Sequence, residues 1–225
     1  MTNLVTPRSL GYRMPAEWAP HRATWLSWPH SQDNWPTQLE QVRAVWVQMI
    51  VELSAVEQVG LLVNDESAER DVAARLKRAG AALDRVSFLR IPTTDVWMRD
   101  YGPTFVTRST TDSPLALNDW VFNGWGGKYE AYEEDERVAK EIAALLKIPV
   151  FDHPVVLEGG SIEVNGAGTC LTTEQCLLNK NRNPNLTRQG IETFLEDTLG
   201  VARIIWLGEG VAGDDTDGHI DDIAR

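Results

Sequence analysis

Basic residues and cysteines are what this sequence is short of. Of its 225 residues 21 are Lys or Arg against 33 Asp or Glu, a formal net charge of −12. Nucleic acid and anionic membrane surfaces reward basic patches, so neither is expected as a partner. A cationic small molecule is compatible with the balance, and so is a plain solvated acidic surface. Cys170 and Cys176 are too few for a disulfide framework, and nothing else points to secretion. No uninterrupted apolar run approaches the roughly 18 residues of a membrane span. The opening stretch Met1–Arg13 carries no apolar signal core, which leads us to expect a cytoplasmic protein. Aromatics are not scarce: nine Trp, five Phe and four Tyr exclude a disordered chain. The length suffices for one large domain or two small ones.

Apolar residues at Leu39, Val42, Val45, Trp46, Met49, Ile50, Leu53 and Val56 step by threes and fours, which predicts a helix within Thr37–Val59. Further helices are expected over Ser67–Ala79, closed by Gly80, over Glu133–Leu146, with Pro149 just beyond, and over Arg188–Leu199, closed by Gly200. Between them lie strand-like runs at Thr24–Trp28, Leu61–Val63, Val86–Ile91, Thr104–Val106, Trp120–Phe122, Val155–Leu157, Ile162–Val164, Thr169–Thr172 and Arg203–Leu207. Strands outnumber helices while the two alternate. That pattern fits an α/β protein of small mixed modules, each two or three strands plus a helix. A further strand is expected to begin at Ile220, and its interruption at Arg225 suggests a truncated chain.

Titratable residues recur beside glycine turns. Asp100 precedes Tyr101-Gly102-Pro103 and a strand, Glu158 precedes Gly159-Gly160 and a strand 58 residues later, and His219 follows Gly218 after 61 more. A recurrence near 60 residues suggests stacked modules, each pointing one charged side chain at a shared centre. The densest chemistry is Asp214–Asp222, one histidine with five carboxylates. Two uses compete there: a hard cation held by Asp oxygens, although the EF-hand spacing is missing, or acid–base work by His219. On a strand, Asp221 would share His219's face.

Trp97-Met98-Arg99-Asp100 pairs a flat ring with a carboxylate, as a planar cation requires, though an Arg99–Asp100 salt bridge and a core tryptophan would look the same. The loop Asn123-Gly-Trp-Gly-Gly-Lys128 has neither nucleotide-binding spacing. No nearby His or basic cluster would depress the pKa of Cys170 or Cys176, and both read as buried structural residues.

The segments Met14-Pro-Ala-Glu-Trp-Ala-Pro-His21, Thr24-Trp-Leu-Ser-Trp-Pro29, Trp97-Met-Arg-Asp-Tyr-Gly-Pro103, Asn123-Gly-Trp-Gly-Gly127, Leu157-Glu-Gly-Gly-Ser161, Leu177-Leu-Asn-Lys-Asn-Arg-Asn-Pro184 and Gly213–Asp221 resemble the agmatine deiminase family, which is related to bacterial-type peptidylarginine deiminases. The resemblance implies a pentein fold, an α/β-propeller of ββαβ-type modules, with residues 1–225 forming one incomplete domain of about three modules out of five. It implies hydrolysis of a guanidine C–N bond, agmatine to N-carbamoylputrescine and ammonia on the route to putrescine, without metal or cofactor. Asp100 and Glu158 would grip the guanidinium, His219 would move protons, and Asp221 would hold a substrate nitrogen. Trp97 would contact substrate and Asp215 its distal amine. The family's nucleophile is a cysteine in a Gly-Gly-Asn-Ile-His-Cys stretch, and this sequence has no such stretch. The 225-residue chain alone is therefore expected to be inactive, and its unpaired module faces are expected to favour homo-oligomers. Two readings compete with agmatine hydrolysis: turnover of peptidylarginine or another guanidine, and a non-catalytic guanidine-binding module.

Overall fold

The computed structural model describes residues 5–110 and 112–225, so the first four residues of the opening stretch read above lie outside the described residues. The chain divides into two units. One comprises Pro20–Met98 and Ala131–Asp135; the other comprises the residues up to Ala19, Arg99–Glu130 and Glu136–Arg225.

The first unit is built on β1 (Ala23–Ser27), α1 (Leu39–Val56), β2 (Gln58–Val63), α2 (Glu66–Ala79) and β3 (Val86–Arg90). The three strands are parallel in the order β1-β2-β3. Central β2 is covered on both faces, which is why Val59, Leu61, Leu62 and Val63 are all buried. Ile50 of α1 and Val72 and Leu76 of α2 pack onto that core. The α2 ends follow local rules: the Asp65 carboxylate accepts the Ala68 N–H at 2.8 Å, and Gly80 closes the helix in the left-handed conformation. Helix α1 is shorter than its periodicity predicts, because Gln58 and Val59 already belong to β2.

The second unit repeats one topology twice. After α3 (Met98–Tyr101), whose Arg99–Tyr101 part belongs here, β4 (Thr104–Thr107) pairs antiparallel with β5 (Leu115–Val121). A tight turn, α4 (Gly124–Gly127), and α5 (Glu133–Leu146) then lead to β6 (Val150–Val156), parallel to β5. Likewise β7 (Ile162–Val164) pairs antiparallel with β8 (Thr169–Thr173), and α6 (Glu174–Leu177) and α7 (Arg188–Leu199) lead to β9 (Arg203–Leu207), parallel to β8. Strands β4 and β7 begin 58 residues apart, the period seen in the sequence. This is a mixed α/β protein of three small sheets. Among the described residues, no helix is long and apolar enough to cross a membrane.

Strands β5 and β6 start well before their expected bounds, for different reasons. Strand β5 starts at Leu115 instead of Trp120 because buried Asn118 and Asp119, which read as loop residues, find partners. Lys140 reaches Asp119 at 3.0 Å. Strand β6 extends through Asp152-His153-Pro154 because it is a sheet edge with an irregular register, where proline is tolerated.

His153 stacks on Trp120 with ring centroids 4.8 Å apart, and its Nε2 lies 2.9 Å from Asn118 Oδ1. The Asn118 amide already donates to the Thr198 carbonyl, so the ring donates through Nε2. Burial pushes the imidazole down to about 4, against a weaker opposing pull from Asp152. The unfolded chain then binds more protons than the folded one between pH 6.5 and about 4, so stability falls as pH drops through that window. A His153→Gln variant is expected to lose that part of the slope in thermal melts. Parallel melting curves of both proteins from pH 7 to 4 would contradict it.

Candidate active site

Asp100, Glu158, His219 and Asp221 all lie in the second unit, and three of them, Asp100, His219 and Asp221, crowd Gly160. A Cβ on Gly160 would stand 2.4 Å from His219 Nδ1, 2.6 Å from Asp100 Oδ1 and 3.0 Å from Asp221 Oδ2. Only glycine lets the backbone run between these groups. The Gly160 N–H donates to Asp100 Oδ1 at 3.0 Å, and Trp125 Nε1 donates to Asp100 Oδ2 at 3.0 Å. Trp125 holds that position in a left-handed conformation (φ 55°) inside α4.

His219 sits between two carboxylates. Its Nδ1 is 3.5 Å from Asp100 Oδ1 and its Nε2 is 3.9 Å from Glu158 Oε2. Burial opposes a charged imidazole, yet Cys176, Glu158 and Asp100 outweigh it and hold the group well above its ordinary range. Burial also pushes Asp100 up to about 6, while His219 and Trp125 pull it down. The pair suits a protonated histidine beside a carboxylate that accepts cations above about pH 6.

Glu158 is fully buried, and its Oε1 takes a 2.8 Å bond from Arg182 Nε. The Arg182 side chain is itself fully buried. It also reaches Asp217 Oδ2 at 2.6 Å, Asn181 Oδ1 at 2.9 Å and the Thr216 carbonyl at 2.9 Å. Gly126 makes room for this cluster: a Cβ there would meet Asn181 Nδ2 at 2.3 Å and Arg182 Nη1 at 2.5 Å. The sequence pattern alone gives Arg182 no role. Its only signal is an arginine in an asparagine-rich turn that follows an apolar run.

The acidic run holds its own loop together. Asp214 Oδ2 accepts the Gly218 N–H at 2.7 Å and the His219 N–H at 3.3 Å. Asp217 takes Lys128 Nζ at 2.6 Å and Asn181 Nδ2 at 2.9 Å. Burial acts against the Asp217 charge, but Lys128, Asn181 and Arg182 keep its carboxyl below the usual range. Exposed Asp215 accepts the Tyr129 hydroxyl at 2.6 Å. These carboxylates are engaged by nearby donors, which leaves the hard-cation reading without support.

Two expectations need correction. Ile220–Asp222 is a single 3-10 turn and not a strand, because the Ile223 and Ala224 N–H groups both fold back to the Ile220 carbonyl. Asp221 and His219 still face Gly160, but through the turn and not through strand alternation. Arg99 pairs with Glu163 at 2.8 Å and Glu17 at 2.9 Å, and its Nε lies 3.6 Å from Asp221 Oδ2, so its ion pairs go elsewhere than its neighbour Asp100. Cys176 does have a histidine beside it: its Sγ lies within 4.8 Å of the nearest ligand atoms of His219 and Glu158. Burial raises its thiol, with His219 acting in the other direction. Cys170 stays a core residue, with its thiol pushed up to about 12 by burial. Trp97 belongs to the first unit, 45% exposed, its ring 6.5 Å from that of Trp35.

Fold and site together define a mixed α/β protein with a buried histidine set among carboxylates. The family model described as Porphyromonas-type peptidyl-arginine deiminase matches residues 13–225, and the chain belongs to that family. It is 42% identical over 230 residues to an agmatine deiminase of Medicago truncatula, covering 97% of this chain and 59% of the relative. It is 44% identical over 232 residues to one of Stutzerimonas stutzeri, covering 98% and 60%. The solved agmatine deiminase of Enterococcus faecalis superposes with a TM-score of 0.88 at 33% identity, covering 97% of this chain and 59% of that one. The chain thus spans about 60% of the length of these relatives.

Proposed function

We propose that this chain carries the cation-gripping and proton-transferring part of an agmatine deiminase, which converts agmatine and water to N-carbamoylputrescine and ammonia. The observation that carries the reading is the His219 ring, buried with a carboxylate facing each nitrogen. A guanidinium stays protonated near neutrality, and that charge makes its carbon electrophilic. Asp100, Glu158 and Asp221 would pin the flat cation without removing its proton. Trp97 would contact the substrate, and Asp215 would meet its distal amine.

A thiolate adding to the guanidine carbon gives a tetrahedral adduct. The C–N bond breaks as His219 passes its proton to the departing ammonia. Water then adds while His219 takes its proton back, and the C–S bond breaks to release the product. The thiolate is assigned outside residues 1–225, because Cys176 and Cys170 are core residues whose thiols burial holds protonated. In the finer architecture proposed here, the three sheets are modules of a single pentein domain. The twice-repeated topology of the second unit supports that reading.

The test is ammonia release by the protein expressed from the complete reading frame. Agmatine should be turned over faster than arginine-containing peptides, and the 225-residue chain alone should release none. A longer protein inert toward agmatine would overturn the substrate. Ammonia from the 225-residue chain would overturn the placement of the nucleophile.

A further inference from the structure

A carboxylate oxygen of Glu158, the sulfur of Cys176 and a ring nitrogen of His219 come from three separate segments and lie within 4.8 Å of one another, with Glu158 Oε2 and His219 Nε2 3.9 Å apart. A carboxylate oxygen, a sulfur and an imidazole nitrogen form the donor mix that a tetrahedral zinc ion accepts, at about 2.0–2.3 Å from each. Ligands at that range stand roughly 3.3–3.8 Å apart, so closing the trio needs side-chain shifts of about an ångström. Calcium and magnesium select oxygen-only sets, and this one is not.

Two of the three atoms have no fixed partner outside the trio. Glu158 Oε2 and His219 Nε2 are buried with no hydrogen-bond partner among the described residues, on side chains 0% and 3% exposed. Their other ends are held in place. Arg182 fixes Glu158 through Oε1 at 2.8 Å, and Asp100 Oδ1 stands 3.5 Å from His219 Nδ1. A carboxylate behind a ligating imidazole is the outer-shell support that orients metal-binding histidines. Arg182 brings an opposing positive charge, but Glu158, Asp100 and Asp217 around it outnumber that charge.

We propose that Glu158, Cys176 and His219 bind one zinc-class divalent cation. Binding replaces the thiol proton of Cys176 and the Nε2 proton of the His219 imidazolium, and releases both to solvent. Metal binding itself does not depend on the guanidine reading. Its consequence does: an ion on Nε2 takes the lone pair that proton transfer requires, so the ion acts as an inhibitor.

Cobalt(II) is the probe, because a thiolate ligand gives it a near-ultraviolet charge-transfer band. Titrating the untagged, reduced 225-residue chain should produce that band at one cobalt per chain, and equimolar zinc should bleach it. Cys176→Ser should abolish the band while Cys170→Ser keeps it. His219→Gln, which retains the thiol, should weaken cobalt binding by at least about tenfold. Circular dichroism checks that each variant is folded. If Cys176→Ser fails to fold, the wild-type and His219→Gln titrations decide. No band on the wild-type chain, a band surviving Cys176→Ser, or unchanged affinity in His219→Gln overturns the site.

Discussion

A His219→Gln substitution in the protein expressed from the complete reading frame should lower kcat for agmatine by about 10²–10⁴-fold, with KM moved only a few-fold. Glutamine fills much of the same space and can still hydrogen-bond to Asp100 and Glu158, but it cannot carry a proton between steps. The loss should therefore fall on the chemical step and not on binding. The acid limb offers a second readout. Asp100, pushed up to about 6, takes a proton as the medium is acidified through that value. Its attraction for a cation then weakens, so kcat/KM should fall below about pH 6. A His219→Gln protein with kcat within threefold of wild type would remove the histidine from the mechanism.

Arg182→Leu should cost the 225-residue chain about 3–5 kcal/mol in urea unfolding, the range for breaking one side of a buried ion pair. The guanidinium is fully buried and bonds Glu158, Asp217, Asn181 and the Thr216 carbonyl at once. Leucine would leave the fully buried Glu158 carboxylate without its partner. Arg182→Lys should also destabilise, because one ammonium cannot present the planar fork that reaches several acceptors together. Adding Glu158→Gln to Arg182→Leu should restore part of the loss, since the stranded charge is gone. A loss under about 1 kcal/mol for Arg182→Leu would show that water, and not the arginine, satisfies this carboxylate.

How much the sequence revealed depends on how local each feature is. Helices α5 and α7 begin and end where their periodicity and glycine or proline stops predict. Strands β7 and β9 also match their predicted bounds. Strand β5 does not, because Asn118 and Asp119 read as turn formers until Asn118 is seen to bond Thr198 and Asp119 to pair with Lys140. The turn at Ile220–Asp222 resembles a strand start in sequence, because a short apolar–acidic alternation cannot reveal where its N–H groups will bond. Glycine turns were the useful signal at the site. Gly160 shows why: a backbone that must pass between three polar side chains has no room for a Cβ.

The order of helices and strands, the 58-residue recurrence and the candidates Asp100, Glu158 and His219 are properties of the sequence by itself, because periodicity and turn chemistry act over a few residues. Only the tertiary structure decided which groups meet. Arg182 reaches Glu158 across 24 residues and Asp217 across 35, and Cys176 comes to rest beside His219 although nothing in its local context points there. Such partners are selected by burial. A charge or thiol taken out of water settles where the packed chain offers a complementary group, and that choice is made only when the sheets close over their cores.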